Sequence, residues 1–576
     1  MSLRVKMLIL LALVCAFGLF DHSLWSGNDT REGAMISEMV RTGTWVAPVF
    51  NGTCYLEKPP LLHWTGVVFC RLFGAVNEGL VRLPAAVYAF GTLLVVLAWA
   101  RSMGREGAGF AAAFMCATSA LFFEYARIVL TDSALTFMFV FSLWVFWRAQ
   151  AAEKWFFGRC LLFLFVSAFS FYAKGLIGPG MVWLSVMAWL FIRKKFRFAL
   201  LLALAFLPVF ALVLSPWVFA LWKTGGYPYL QTVFWDNQFG RFLYFNDPAL
   251  PLDPYQVHKE PVYFYLLSLP VRLLPWTLLV IPALYHWFRR ESPVRDSLAV
   301  FLKTSLLASA FLLHVSSAKA ACYALPLFPM IFLMTAVWLE DAAMKWPAAA
   351  AAARPSPAEW FDRLERGLIR MTFITMWIAV IAAPVAYLLS FSLGIKPVRT
   401  PCTGANAVCI TSALLAVLAG LFLGNRLRAA FREGRRRSAL LTAPVLAAII
   451  GLVGGAVFVP AVDYYRTYVP FTRMVRGEIK DARRIAFASD SERDIGAFMF
   501  YLDSRLAVVS ATNTASLENF LNGKERAGII VPVDKLRFVL HNLRGYPCRV
   551  KRADHSGKKS DSFRLMIVNP DGGRLP

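Results

Sequence analysis

Apolar residues in this chain do not alternate with polar ones. They gather in runs near ~20 residues, the length that carries a helix across a bilayer core. Hydropathy predicts about 13 spans, near 5–22, 80–100, 107–124, 131–149, 159–173, 175–193, 198–222, 264–288, 298–315, 320–339, 370–392, 408–425 and 440–460. Only Lys174 and Gly175 divide the fifth from the sixth. Alternate connections carry the positive charge: Arg101 and Arg105; Arg148, Lys154 and Arg159; Arg193, Lys194, Lys195 and Arg197; Arg289, Arg290 and Arg295; then Arg426, Arg428, Arg432, Arg435, Arg436 and Arg437. The positive-inside rule puts those connections and the N-terminus in the cytoplasm, and an odd span count puts the C-terminus outside. Arg4 and Lys6 precede the first apolar stretch, which Phe20, Asp21 and His22 follow in place of a small-residue cleavage site, so an uncleaved first span is expected.

The pattern changes after residue 460. Over 461–576 short apolar strands alternate with helix-like segments: Ile485–Ala488, Ser491–Leu502, Leu506–Ser510, Gly528–Val533 and Asp534–Leu543. The expected organisation is an α-helical polytopic membrane domain over 1–460 and a small extracytoplasmic α/β domain over 461–576. That domain has no glycine-rich phosphate loop, so no nucleotide is assigned to it. Residues 346–358, rich in Ala and Pro, form an inner linker, and two outer loops, 23–79 and 223–263, are long enough to carry a site.

The first outer loop is the more informative. Asp29 followed by Glu32 has the spacing of a capping box, Met35, Ile36, Met39 and Val40 share one helical face, and Gly43 is a natural stop. A short helix lying on the membrane surface is expected, in which Asp29 is either a cap or a chemical group. Asn51-Gly52 marks a turn. Lys58-Pro59-Pro60 then leads into an apolar helix over Leu61–Phe73 that is too short to span. Lys58 therefore stands just before a helix N-terminus, where an ammonium and the helix dipole favour an anion such as a phosphate; a lysine snorkelling to headgroups has the same pattern.

Composition narrows the class. Hydrophobic residues make up 58% of the 576 and charged residues 16%, well below a soluble domain's share. The net charge of +25 would suggest nucleic acid in a soluble chain, but here the basic residues fall in cytoplasmic loops, and nucleic-acid binding is not expected. Of nine cysteines, Cys15, Cys70, Cys116, Cys160 and Cys322 sit in apolar runs. Cys402 and Cys409 share a polar outer loop, as a disulfide or as two free thiols.

Gly43, Trp45, Pro48, Asn51, Gly52, Tyr55, Glu57-Lys58-Pro59-Pro60 and Arg82-Leu83-Pro84 occur in order. Further along come Arg127 with Thr131-Asp132, Lys174-Gly175, Asn237 with Arg241, His258 with Pro261–Tyr265, Pro275-Trp276, and Ser317–Pro326. The ordered set resembles the GT-C glycosyltransferases of the aminoarabinose (lipid A) transferase and protein O-mannosyltransferase superfamily, over roughly residues 5–340. The resemblance implies an inverting transfer of a sugar from a polyprenyl-phosphate carrier to an extracytoplasmic acceptor, lipid A first, a protein hydroxyl or another envelope glycan second. It implies Asp29 and Asp132 as candidate catalytic carboxylates. It implies Lys58, Arg31, Tyr55, Lys174, Arg241, Lys319 and Tyr323 as the groups that meet donor and phosphate. No cofactor is required by this scheme, although Glu57 and His258 resemble positions that meet beside a divalent ion, zinc being the natural candidate. The partners expected are the lipid-linked donor, the envelope acceptor and membrane lipids, in a cell inner membrane. One departure stands out: the family's first helix reads Asp-Glu-x-Arg-Tyr, and this chain has Asn28-Asp29-Thr30-Arg31-Glu32. A flippase of lipid-linked sugars or an inactive subunit would share the many spans, but the singled-out charges gather at one face of the predicted membrane rather than through its middle.

Overall fold

A computed structural model describes residues 2–25, 27–151, 155–240, 260–289, 297–316, 318–345, 443–449, 462–522, 526–554 and 559–569, with isolated positions between 367 and 459. Among these, five helices are long and apolar enough to cross a membrane: Glu78–Ser102, Phe156–Lys174, Phe196–Phe239, Ser297–Val315 and Ala321–Ala342. Asn77 starts the first of them by accepting the Leu80 N–H. The chain is a multi-pass membrane protein, and most expected spans have helical counterparts, several of them broken.

The breaks have local causes. The span expected at 107–124 splits at Ser119, whose extended backbone separates Glu106–Thr118 from Ala120–Tyr125. That at 264–288 splits into Phe264–Arg272 and Thr277–Phe288 around Pro275. Lys174 and Gly175 do divide two helices: Gly175 takes φ +75°, and its neighbour's N–H is caught by the Gln238 side chain at 2.8 Å. The first helix is only Leu3–Ala16, shorter than the expected 5–22. The expected spans 370–392 and 408–425, the linker 346–358, and Cys402 and Cys409 lie outside the described residues, apart from isolated positions.

In the first outer loop, helix α2 runs Gly27–Thr42 and ends at Gly43, with φ +71°. A two-residue turn at Asn51 (φ 51°) and Gly52 (φ 88°) joins strands β1 (Val49–Phe50) and β2 (Thr53–Cys54), as left-handed turn chemistry requires. Helix α3 then covers Leu61–Leu72. Two expectations for α2 need correction. It is not an open surface helix, because it is buried on both sides. Ile36, Met39 and the partly buried Val40 pack with Leu62, Val67 and Cys70 of α3, while Ala34 and Met35 join the core of the C-terminal domain. Nor does Asp29 cap it; the helix begins two residues earlier, and the Asp29 side chain turns inward.

The C-terminal body holds a five-stranded sheet. Its strands, in chain order, are β3 (Ile485–Phe487), β4 (Ala507–Val508), β5 (Ala527–Pro532), β6 (Cys548–Lys551) and β7 (Phe563–Val568). The spatial order is β4-β3-β5-β7-β6, with β4, β3 and β5 parallel and β7 and β6 antiparallel to their neighbours. The parallel strands and the helices Glu492–Leu502 and Leu536–Asn542 were legible in sequence; the helices Val469–Glu478 and Thr514–Leu521 and the β6–β7 pair were not. One sheet face packs on helices Val469–Glu478 and Glu492–Leu502, the other on Thr514–Leu521 and Leu536–Asn542. Glu492–Leu502 lies directly on α2. Gly496 makes that approach: a Cβ there would stand 2.8 Å from the Thr30 carbonyl oxygen and 2.9 Å from Arg31 Cα. The site helix is thus clamped between the membrane helices and the outer domain.

Candidate functional site

Three charged groupings stand on α2, the 45–60 stretch and the ends of the neighbouring helices. The loop is stitched down by backbone carbonyls. Trp64 Nε1 donates to the Trp45 carbonyl and Trp217 Nε1 to that of Val46, both at 2.6 Å, and Asn237 Nδ2 reaches the Leu56 carbonyl at 3.2 Å. Tyr55 N–H closes the hairpin on the Pro48 carbonyl. These bonds fix the approach of residues 57–60 to α3.

The first grouping centres on Glu32, which is fully buried. Lys58 Nζ donates to its Oε1 at 2.7 Å, Arg31 Nη2 reaches the same oxygen at 3.3 Å, and His63 Nε2 lies 2.7 Å from Oε2. Burial alone would push the Glu32 carboxyl up, but Lys58, the His63 hydrogen bond and Arg31 together hold it well below the usual carboxylate range. An ionised Glu32 then requires His63 Nε2 to carry the proton. Arg31 also donates to Glu492 of the outer domain at 2.9 Å and lies over the Tyr55 ring, 5.2 Å from its centre. Its guanidinium stays charged because the surrounding carboxylates outweigh its burial, and burial pushes the Tyr55 phenol up.

The second grouping lies at the start of helix α4 (Thr131–Gln150) and the end of Phe171–Lys174. Lys174 Nζ donates to Asp132 Oδ1 at 2.6 Å and stands 4.1 Å from the centre of the Tyr323 ring. Asp132 is buried and sits in the first turn of its helix, where the dipole favours an anion. Leu61 at the head of α3 packs in one apolar cluster with Ala134, Leu135 and Tyr172, so the first two groupings stand on adjoining elements. Lys319, also buried, donates to the carbonyls of Ser316 and Glu260 at 2.6 and 3.3 Å, which braces the turn before Tyr323.

The third grouping is of a different kind. Arg82, fully buried, donates to Asp29 Oδ2 at 2.7 and 3.2 Å and to the carbonyls of Leu19, His22 and Ser23. Asp29 Oδ1 accepts the Val129 N–H at 2.7 Å. Both carboxylate oxygens are committed to holding chain segments together, which is poor geometry for a base that must meet a substrate proton.

Of the residues singled out from the sequence, Arg31, Tyr55 and Lys58 come together around Glu32, and Asp132, Lys174 and Tyr323 form a second knot with Lys319 behind it. Asp29 stands apart with Arg82. Arg241 and His258 lie outside the described residues. Glu57 lies close enough to Tyr55 for its charge to help raise the phenol, after burial, and among the described residues no group of three or more His, Cys, Asp and Glu is placed to hold a metal. Sequence reasoning missed Glu32, His63 and Glu492. The unusual Glu at position 32 was a usable signal; nothing local marks Glu492, which arrives from a distant segment of the chain.

Residues 57–222 match a family model described as dolichyl-phosphate-mannose-protein mannosyltransferase. The undecaprenyl phosphate-alpha-4-amino-4-deoxy-L-arabinose arabinosyl transferase of Pseudomonas aeruginosa strain LESB58 is 31% identical over 340 residues, covering 56% of this chain and 58% of the relative. Its namesake in Yersinia enterocolitica is 26% identical over 341 residues, again 58% of each. The matches thus span less than two thirds of these relatives' length. The crystal structure of ArnT from Cupriavidus metallidurans bound to undecaprenyl phosphate superposes with a TM-score of 0.72 over 98% of both chains at 17% identity, so the whole chain, outer domain included, shares that fold.

Proposed function

We propose that this chain, a relative of the aminoarabinose transferases with their GT-C glycosyltransferase fold, moves a sugar from a polyprenyl-phosphate carrier to an acceptor outside the cytoplasm, lipid A in the first place. The observation that carries the reading is the pair of cationic knots on adjoining elements, Arg31 and Lys58 with Tyr55, and Lys174 with Tyr323. The N-terminus is cytoplasmic and the 461–576 domain extracytoplasmic, so that this end faces away from the cytoplasm, in an inner membrane. Polyprenyl phosphate leaves the anomeric carbon with new negative charge, and Lys58, at the head of α3 (Leu61–Leu72), together with Lys174, Arg31 and the Arg241 of the second outer loop, stabilises it. The acceptor attacks from the opposite face with inversion.

Asp132 is the better of the two candidate bases. Asp29 has both oxygens engaged by Arg82 and Val129, whereas Asp132 adjoins Lys174 and Tyr323. A phosphate acceptor, already anionic at neutral pH, would ask little of a base; a hydroxyl would ask more. No step calls on a metal. A zinc ion at Glu57 and His258 would be an addition, checked by metal analysis of the purified protein and of its His258→Ala form. A protein hydroxyl is the alternative acceptor, favoured by the family model over 57–222.

The test is mass spectrometry of lipid A and of the polyprenyl-phosphate pool in cells with the gene, without it, and with Lys58→Ala or Asp132→Asn. Loss of a sugar-sized mass from lipid A, accumulation of glycosylated carrier, and both variants matching the deletion are expected. Unchanged lipid A would remove that acceptor, and full activity in both variants would remove the site.

A further inference from the structure

Glu32 carries no role in the transfer just described, yet its position demands one. A fully buried carboxylate is costly unless its partners are well placed. Here Oε1 takes Lys58 and the neighbouring Arg31, and Oε2 takes His63 of the helix that follows Lys58. The partners differ in how they can respond to an incoming anion. Arg31 has a second carboxylate, Glu492, whose side chain is 41% exposed and can withdraw into water. Glu32 is at 0% and has no such exit.

Lys58 is where this matters. A lysine ammonium sits on a flexible stem and offers three N–H donors. Free, it would have to be ordered at the moment an anion binds, and that ordering opposes affinity. Tied to an immovable carboxylate beside the first turn of the Leu61–Leu72 helix, the ammonium uses one donor, and among the described residues its remaining donors are not taken by protein. His63, itself fully buried on that same helix, fixes the carboxylate from the other side, so the pair Glu32–His63 couples the position of Lys58 to the helix whose N-terminus would face the phosphate.

We propose that Glu32 is a positioning residue for a phosphate-ester ligand: through the direct ion pair it presents Lys58 to the phosphate of the lipid carrier. This rests on the reading of Lys58 as a phosphate-binding group. It assigns Glu32 no contact with the substrate and no proton transfer. Its signature is coupling. For ligand affinity, removing Glu32 matters only through Lys58, whereas a purely structural carboxylate would leave the effect of Lys58 on affinity intact.

The experiment uses the full chain in lipid nanodiscs with undecaprenyl phosphate as the probe, reading its dissociation constant and the thermal unfolding midpoint for wild type, Glu32→Gln, Lys58→Ala and the double variant. The glutamine keeps the shape and loses the charge. Expected are a loss of affinity of about tenfold for Glu32→Gln, from one charge-assisted bond, a larger loss for Lys58→Ala, and a double variant no weaker than Lys58→Ala alone. If Glu32→Gln binds as wild type, or if the two losses multiply in the double variant, the positioning role is overturned while Lys58 keeps its assignment. If Lys58→Ala itself binds as wild type, the underlying site reading fails. Should Glu32→Gln not fold, Glu32→Asp, which keeps the charge but retracts it by one methylene, is judged by the same two criteria.

Discussion

Asp29 and Glu32 stand three residues apart on one helix, both buried, both ion-paired, and they do opposite things. Asp29 is paired with an arginine whose other donors all go to backbone carbonyls, and its own second oxygen takes a backbone N–H. It is a staple between the 19–24 segment, α2 and the chain at Val129. Glu32 is paired with side chains alone, a lysine, an arginine and a histidine, each from a segment that reaches the candidate site. A buried carboxylate is not diagnostic by itself; the partners decide whether it serves the fold or the chemistry. Backbone partners cannot be exchanged for a ligand, whereas cationic side chains can be shared with one.

The comparison breaks most visibly at Arg82. Arg82→Ala would leave Asp29 charged and buried and three carbonyls without their donor, a loss of about 3–5 kcal/mol of stability. Thermal unfolding in detergent should show it as a large drop in the midpoint or as failure to accumulate. Were Arg82→Ala to unfold like wild type but lose transfer, Asp29 would belong to the chemistry after all.

A smaller effect sharpens the other side. Gly496 lets the outer domain reach α2, and with it Glu492 reaches Arg31. Gly496→Val places methyl groups where backbone already stands, a strain of about 1–3 kcal/mol that is relieved by lifting the outer domain. Limited proteolysis should then cut between the two bodies faster, with Arg505 leaving Glu38, its partner at 2.5 Å. If the domain stays protected and transfer continues, the clamp on α2 is not needed.

How much of this was readable beforehand follows the range of the interactions. The membrane class, the Asn51-Gly52 turn, the stop at Gly43 and the short helix after Pro59-Pro60 rest on neighbours within a few residues, and each is found. Arg31, Tyr55, Lys58, Asp132, Lys174 and Tyr323 were singled out as residues, but not their partners. Asp29 looked like a cap because the spacing to Glu32 is the spacing of a capping box; the capture of Asp29 by Arg82, 53 positions away, overrode that local preference. The surface helix became a buried one because an outer domain beginning over four hundred residues later covers it. Breaks at Ser119 and near Pro275 escaped a hydropathy scan because apolar composition does not stop where helical geometry does.

The smallest effect concerns pH and separates the Glu32 ion pairs from their surroundings. In the folded state the Glu32 carboxyl is held well below its ordinary value of 4.5, because Lys58, His63 and Arg31 outweigh the burial that would raise it. A depressed carboxyl contributes stability that is fully present above the unfolded value and is lost as pH falls through the folded one. Between neutral pH and about 4.5 the contribution should therefore be flat, and it should decline only in more acid solution. Glu32→Gln carries no such proton, so the difference in unfolding midpoint between wild type and variant should stay constant down to that point and narrow below it. A difference that already narrows between pH 7 and 5 would mean that the depressed Glu32 carboxyl does not carry the stability difference.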